Sequence, residues 1–198
     1  SERTLKLCME DTFTDCPLYE QTLWVGDARN EAMFAYTTFG ATDIAKNCLA
    51  ITGQSLERYP ITGCQVPSSW DCLLPAWSFM WGMAVWEYYF FSEDAAFVRK
   101  AWPWVMKNLK GARKLSDKKG LFSGHYWNMF DWGGIVDASH MTTHNNMFIV
   151  GAINAALKCA DVVKAPAADR KWLAEYRKAL VKAVNSLWNP AKKAYPDA

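Results

Sequence analysis

The chain has 198 residues, is 51% hydrophobic and carries a formal net charge of +2. That is enough apolar material to bury one sizeable core, and the length argues for a single domain spanning 1–198. Acids and bases are interspersed with no basic stripe, which argues against nucleic acid or a membrane surface as a partner.

Ser1 to Thr4 do not read as a signal peptide, and no run of about eighteen apolar residues reads as a membrane span. The compartment stays open. The six cysteines (Cys8, Cys16, Cys48, Cys64, Cys72 and Cys159) form no CxxC pair and mostly sit in apolar runs. They read as buried and unpaired, with a Cys64–Cys72 disulfide left open. Eleven tryptophans are the compositional oddity. Most read as core, but indole faces also suit the floors of sugar sites.

In chain order, a turn of helix around Leu7 to Thr12 is weakly patterned. The stretch from Asp15 to Arg29 then puts three carboxylates, Asp15, Glu20 and Asp27, beside Trp24. On one continuous helix Glu20 and Asp27 would share a face about 10 Å apart. Gly26 and the Cys16-Pro17 pair argue instead for an irregular segment. Val25, Ala28, Ala32, Ala35, Tyr36 and Phe39 recur at helical spacing until Gly40, and a second helix from Asp43 carries Ile44, Cys48 and Ile51 on one face. The short connection makes the two an antiparallel hairpin.

Residues 57–72 read as a long loop, and Leu73 to Phe91 as a helix apolar nearly all round and hence buried nearly all round. Ser92 is the expected cap of the next element, with Glu93 and Asp94 in its first turn. Pro103 splits that element into a short piece over Ala95 to Arg99 and a longer helix to about Leu115. Leu121 to Met141 form a second non-helical stretch rich in Gly, His, Trp and Asp. Helices over Thr142 to Ala160 and Ala167 to Leu187 complete three hairpins with no strand pattern. The class is all-α, and the long intervening loops suit a barrel whose loops build a site at one end.

Paired carboxylates among tryptophans suit glycoside chemistry, in which one acid protonates the leaving oxygen and a second carboxylate activates water or attacks the sugar. On spacing alone other roles stay open: Asp15 as a cap before Pro17, Glu20 as a solvated acid, Asp27 as a partner of Arg29. His140 and His144 have no third ligand at telling spacing, His125 is a candidate for a sugar rim, and no phosphate cradle or nucleophile elbow is present. No metal or cofactor is expected.

Asp15-Cys16-Pro17, Glu20 and then Trp24-Val25-Gly26-Asp27-Ala28 resemble the signature of the α-L-rhamnosidases of glycoside hydrolase family 78. Cys8-Met9-Glu10-Asp11 resembles that family's approach to the motif, and Asp131-Trp132 its later Asp-Trp loop. The resemblance implies an (α/α)6 six-hairpin toroid, of which this chain supplies about three hairpins, the N-terminal half of a catalytic domain. It implies an inverting hydrolase of terminal α-L-rhamnosides, with Glu20 as general acid. Asp15, Asp27 and Asp131 would bind sugar hydroxyls, and Trp24 and Trp132 would form apolar walls. An acid donor must keep its proton, and neighbouring carboxylates with tryptophan-lined burial would help Glu20 do so. Inversion requires a second carboxyl group about 6.5–9.5 Å away, and the family's base is a glutamate of the later hairpins. The expected partners are therefore a carbohydrate substrate and the remainder of the same polypeptide. The chain alone is expected to be inactive and, with one apolar flank uncovered, to associate. Leu18, Tyr19 and Gln21 stand where many members carry an Arg-rich motif. A non-catalytic carbohydrate-binding domain, or a six-hairpin enzyme for another sugar, remains an alternative.

Overall fold

The structure is a computed structural model that describes residues 2–129 and 142–196; Asp131, Trp132 and His140 lie outside the described residues. Seven α-helices are present among the described residues: α1 (Glu2–Leu7), α2 (Val25–Phe39), α3 (Asp43–Gln54), α4 (Pro75–Ser92), α5 (Ala95–Lys114), α6 (Thr142–Val163) and α7 (Ala167–Asn185). The only β contacts there are isolated bridges.

Each of α2–α3, α4–α5 and α6–α7 is joined by two or three residues, so each pair must reverse direction. Gly40 ends α2 in a left-handed turn at φ 63°, returning its N–H to the Tyr36 carbonyl. Helix α4 lies at the centre, packed against α2, α3, α5 and α6. Trp81, fully buried on α4, donates its indole N–H to the Leu49 carbonyl of α3 at 3.0 Å.

Because the hairpin links are short, the long segments before α2, between α3 and α4, and between α5 and α6 all meet the N-terminal ends of α2, α4 and α6. That places the described parts of these three segments at one end of the bundle. Hydrogen bonds fix them there. The Val25 N–H donates to the Cys64 carbonyl at 2.9 Å, and the Val66 N–H to the Leu23 carbonyl at 3.3 Å, joining the first segment to the second. Buried Asn108 of α5 receives the Thr62 N–H and the Ser78 hydroxyl. Asn146, in the first turns of α6, accepts the Phe122 N–H at 2.8 Å and returns an N–H to the Phe122 carbonyl.

Several expectations are corrected. The first helix covers Glu2–Leu7, and residues 8–12 are irregular. Gly26 is helical; a Cβ there would lie 2.6 Å from the Trp77 ring, so its smallness admits the α4 indole. Asp94 caps α5, accepting the Phe97 N–H at 2.9 Å, while Ser92 accepts the Asp94 N–H. Helix α5 runs unbroken through Pro103. Pro103 and Arg99, whose carbonyl loses its partner, are both exposed, so water solvates the freed group while buried Ala101, Val105 and Leu109 hold the helix. Phe90 and Phe91 at the end of α4 are exposed. Helix α6 is long and apolar enough to cross a membrane by composition, yet here it packs among α4, α5 and α7. All six cysteines are free, and the Cys64 thiol donates to the Cys72 carbonyl at 3.1 Å rather than bonding its sulfur.

Candidate active site

The loop that carries Asp15 and Glu20 is closed by its own polar groups. The Asp15 N–H donates to the Thr22 carbonyl at 3.1 Å, and the Thr22 N–H donates to Asp15 Oδ1 at 3.0 Å. Gln21, with φ 47°, turns the chain, and its side-chain amide donates to the Pro17 carbonyl at 2.7 Å. Asp15 therefore caps no helix. It pins the loop with one of its carboxylate oxygens.

Trp24 directly precedes α2, and its indole N–H donates to Glu20 Oε2 at 2.7 Å. Glu20 itself is exposed, so the burial expected around the acid is not supplied by the described residues. Asp27 sits in the first turn of α2, where the helix dipole favours a carboxylate, and Oδ2 accepts the Trp77 indole N–H at 3.0 Å. Arg29 does not pair with Asp27; it forms a bidentate pair with Glu87 of α4, at 2.8 and 2.5 Å.

Asp15, Glu20, Trp24 and Asp27 line one cleft with Leu74, Trp77, Trp127 and Met129, about 170 Å³ in volume. No cationic side chain is among the lining residues. Three carboxylates with no cation among the described lining residues disfavour an anionic ligand, whereas carboxylates beside indole faces suit a neutral polyhydroxylated one. No group of three or more His, Cys, Asp or Glu among the described residues is arranged to hold a metal ion. His125 is exposed and does not line the cleft.

Burial pushes the Asp27 carboxyl above its ordinary range, opposed by the Trp77 N–H and assisted by the charges of Asp15 and Glu20. One turn further along α2, Glu31 is pushed up to about 8, by burial first and then by Asp27 and Asp15. Its Oε2 is buried without a hydrogen-bond partner. Sequence reasoning missed Glu31, although its position four residues after Asp27 places both on one helix face. It missed Trp77 as the Asp27 partner as well, because that contact joins residues 50 apart.

Residues 1–197 match the family model of the bacterial α-L-rhamnosidase six-hairpin glycosidase domain. The chain belongs to this family. It is a glycosidase-family domain, and its all-helical architecture is that of the six-hairpin fold. A GH78 rhamnosidase of Bacillus sp. GL1 superposes with a TM-score of 0.93 at 38% identity, covering 98% of this chain and 20% of that one. A rhamnosidase from Klebsiella oxytoca with rhamnose bound gives 0.80 at 22% identity, covering 98% of this chain and 38% of that one. An α-L-rhamnosidase from Dictyoglumus thermophilum gives 0.80 at 19% identity, covering 93% and 21%. The last two similarities speak to the fold alone. No curated protein matches. The chain thus spans about one fifth of the Bacillus enzyme, consistent with one part of a larger polypeptide.

Proposed function

We propose that this domain contributes the acid side of an inverting glycosidase that releases terminal α-L-rhamnose. The observation that carries the reading is the Trp24–Glu20 hydrogen bond at 2.7 Å, in a cleft shared with Asp15 and Asp27. Glu20 delivers a proton to the glycosidic oxygen. The bond from that oxygen to the anomeric carbon breaks, and its electron pair stays on the departing oxygen. Water adds to the anomeric carbon from the opposite face and gives its proton to a glutamate base on the remainder of the polypeptide. Asp15 and Asp27 accept hydrogen bonds from sugar hydroxyls, and Trp24 forms an apolar wall. Asp131 and Trp132 would add a further hydroxyl acceptor and wall. The chain alone, lacking the base, is inactive.

The choice of sugar comes from the related Bacillus protein, a GH78 family rhamnosidase; the indole-lined cleft, with no cation among its described lining residues, supports it. The test is hydrolysis by the full-length protein of a panel of aryl glycosides, with the first-formed anomer followed by proton NMR. Release of β-L-rhamnose from the α-L-rhamnoside is expected. Release of the α-anomer would contradict inversion, cleavage only of another glycoside would contradict the sugar, and no cleavage at all would favour a binding domain.

A further inference from the structure

The cleft has a direction. Asp27 and Trp77 form its half-buried inner end, where two helix N-termini converge, whereas Glu20 is exposed at the outer end. A terminal sugar enters toward Asp27, and the acid at the mouth faces the oxygen that leaves. Whatever that oxygen carries must lie outward of Glu20 and Trp24.

Trp70 stands there. It is 52% exposed, does not line the cleft, and meets two indoles that do: Trp24 at 6.0 Å edge-on and Trp127 at 5.9 Å, tilted by 44°. Its backbone is fixed, since its N–H donates to Ser68 Oγ at 3.0 Å, the Ser68 hydroxyl donates to Gln65 Oε1 at 2.9 Å, and its carbonyl accepts the Cys72 N–H at 2.9 Å. The charge of neighbouring Asp71 is already engaged by Arg58 at 2.6 Å and by the Tyr59 hydroxyl at 2.5 Å. Leu18 and Tyr19, 71% and 90% exposed, precede the acid in the same loop. Single exposed apolar residues are ordinary. An indole on a hydrogen-bonded backbone that carries the cleft's aromatic cluster out onto exposed surface is a surface for stacking.

We propose that Trp70, with the outer edges of Trp24 and Trp127, forms a leaving-group subsite on which a flat or ring-shaped aglycone stacks by its apolar face. This rests on the glycosidase reading given above. The subsite selects for ring-bearing leaving groups, either an aromatic ring or the C–H face of a second sugar, over small alkyl ones.

The experiment uses the full-length protein and compares kcat/KM for an aryl α-L-rhamnoside and for a rhamnose-containing disaccharide, each divided by the value for methyl α-L-rhamnoside. In Trp70→Ala at least one ratio falls by about threefold to tenfold, the scale of one lost stacking contact, and Trp70→Phe restores it. A fall confined to the aryl ratio identifies an aromatic aglycone, and one confined to the disaccharide ratio identifies a sugar. Partial misfolding cancels because numerator and denominator come from one sample. Both ratios unchanged in Trp70→Ala, or equally low in Trp70→Phe, would overturn the subsite. If the protein cleaves another glycoside instead, the rhamnose assignment fails while the same ratios for that sugar still test Trp70.

Discussion

The Trp24 indole N–H lies 2.7 Å from Glu20 Oε2, four residues away, and ties the base of α2 to an otherwise exposed carboxyl group. The bond orients the Glu20 carboxyl group relative to the indole that shares its cleft. Trp24→Phe keeps an apolar wall and removes the donor. We expect kcat/KM on rhamnosides to fall by about tenfold to a hundredfold with the helical circular dichroism unchanged, because a misplaced reacting group costs on that order. Steady-state kinetics of the full-length variant check this.

Glu31 gives a signed pH dependence. The folded protein keeps its proton up to about 8, while the unfolded chain releases it near the ordinary 4.5. Between those values the folded state holds more protons, so this group's contribution makes stability fall as pH rises through the window and level off above it. Glu31→Gln removes the titration. Its stability relative to the unsubstituted protein should improve progressively from about pH 4.5 to 8, by a few kcal/mol at about 1.4 kcal/mol per pH unit. Thermal unfolding at a series of pH values reads it, and a constant offset at all pH values would contradict the buried neutral acid.

Asp94 behaves oppositely. The Lys46 ammonium at 2.7 Å, followed by the Phe97 N–H, holds its carboxyl down at about 2. Its contribution is present above the ordinary value of 3.8 and is lost as pH falls toward 2. Asp94→Ala should lower stability by about 1 kcal/mol through loss of the cap, and Asp94→Asn should retain most of it because the amide oxygen still accepts the Phe97 N–H. Unfolding in denaturant at neutral pH distinguishes the two.

The helices of this fold were legible where apolar period and punctuation agree. The helical spacing from Val25 to Phe39, ended by Gly40, traced α2, and Thr142 and Ala167 marked the starts of α6 and α7. The breaker rule failed at Pro103 because a proline on an exposed face sacrifices only a solvated carbonyl, and buried neighbours outweigh the loss. Gly26 misled for a related reason: its role is to admit the Trp77 ring, a contact between elements that no local pattern encodes.

The candidate site was legible as a motif and not as a geometry. Asp15, Glu20, Trp24 and Asp27 were named from their order, and they do share one cleft. Trp77 and Trp127 reach it from segments some 50 and 100 residues further along the chain, and Glu31 shows itself only once burial is known. Asp131 and Trp132 lie outside the described residues, so their assignment stands as a proposal.

The central claim is that Glu20 supplies a proton to the leaving oxygen. Its most direct test is Glu20→Gln in the full-length protein, assayed on methyl α-L-rhamnoside, whose leaving group needs the proton, and on an activated nitrophenyl rhamnoside, whose leaving group needs it less. The account predicts a loss of about 10²–10⁴-fold on the methyl glycoside and a clearly smaller one on the nitrophenyl glycoside. Equal losses on both, or retained activity on the methyl glycoside, would contradict it.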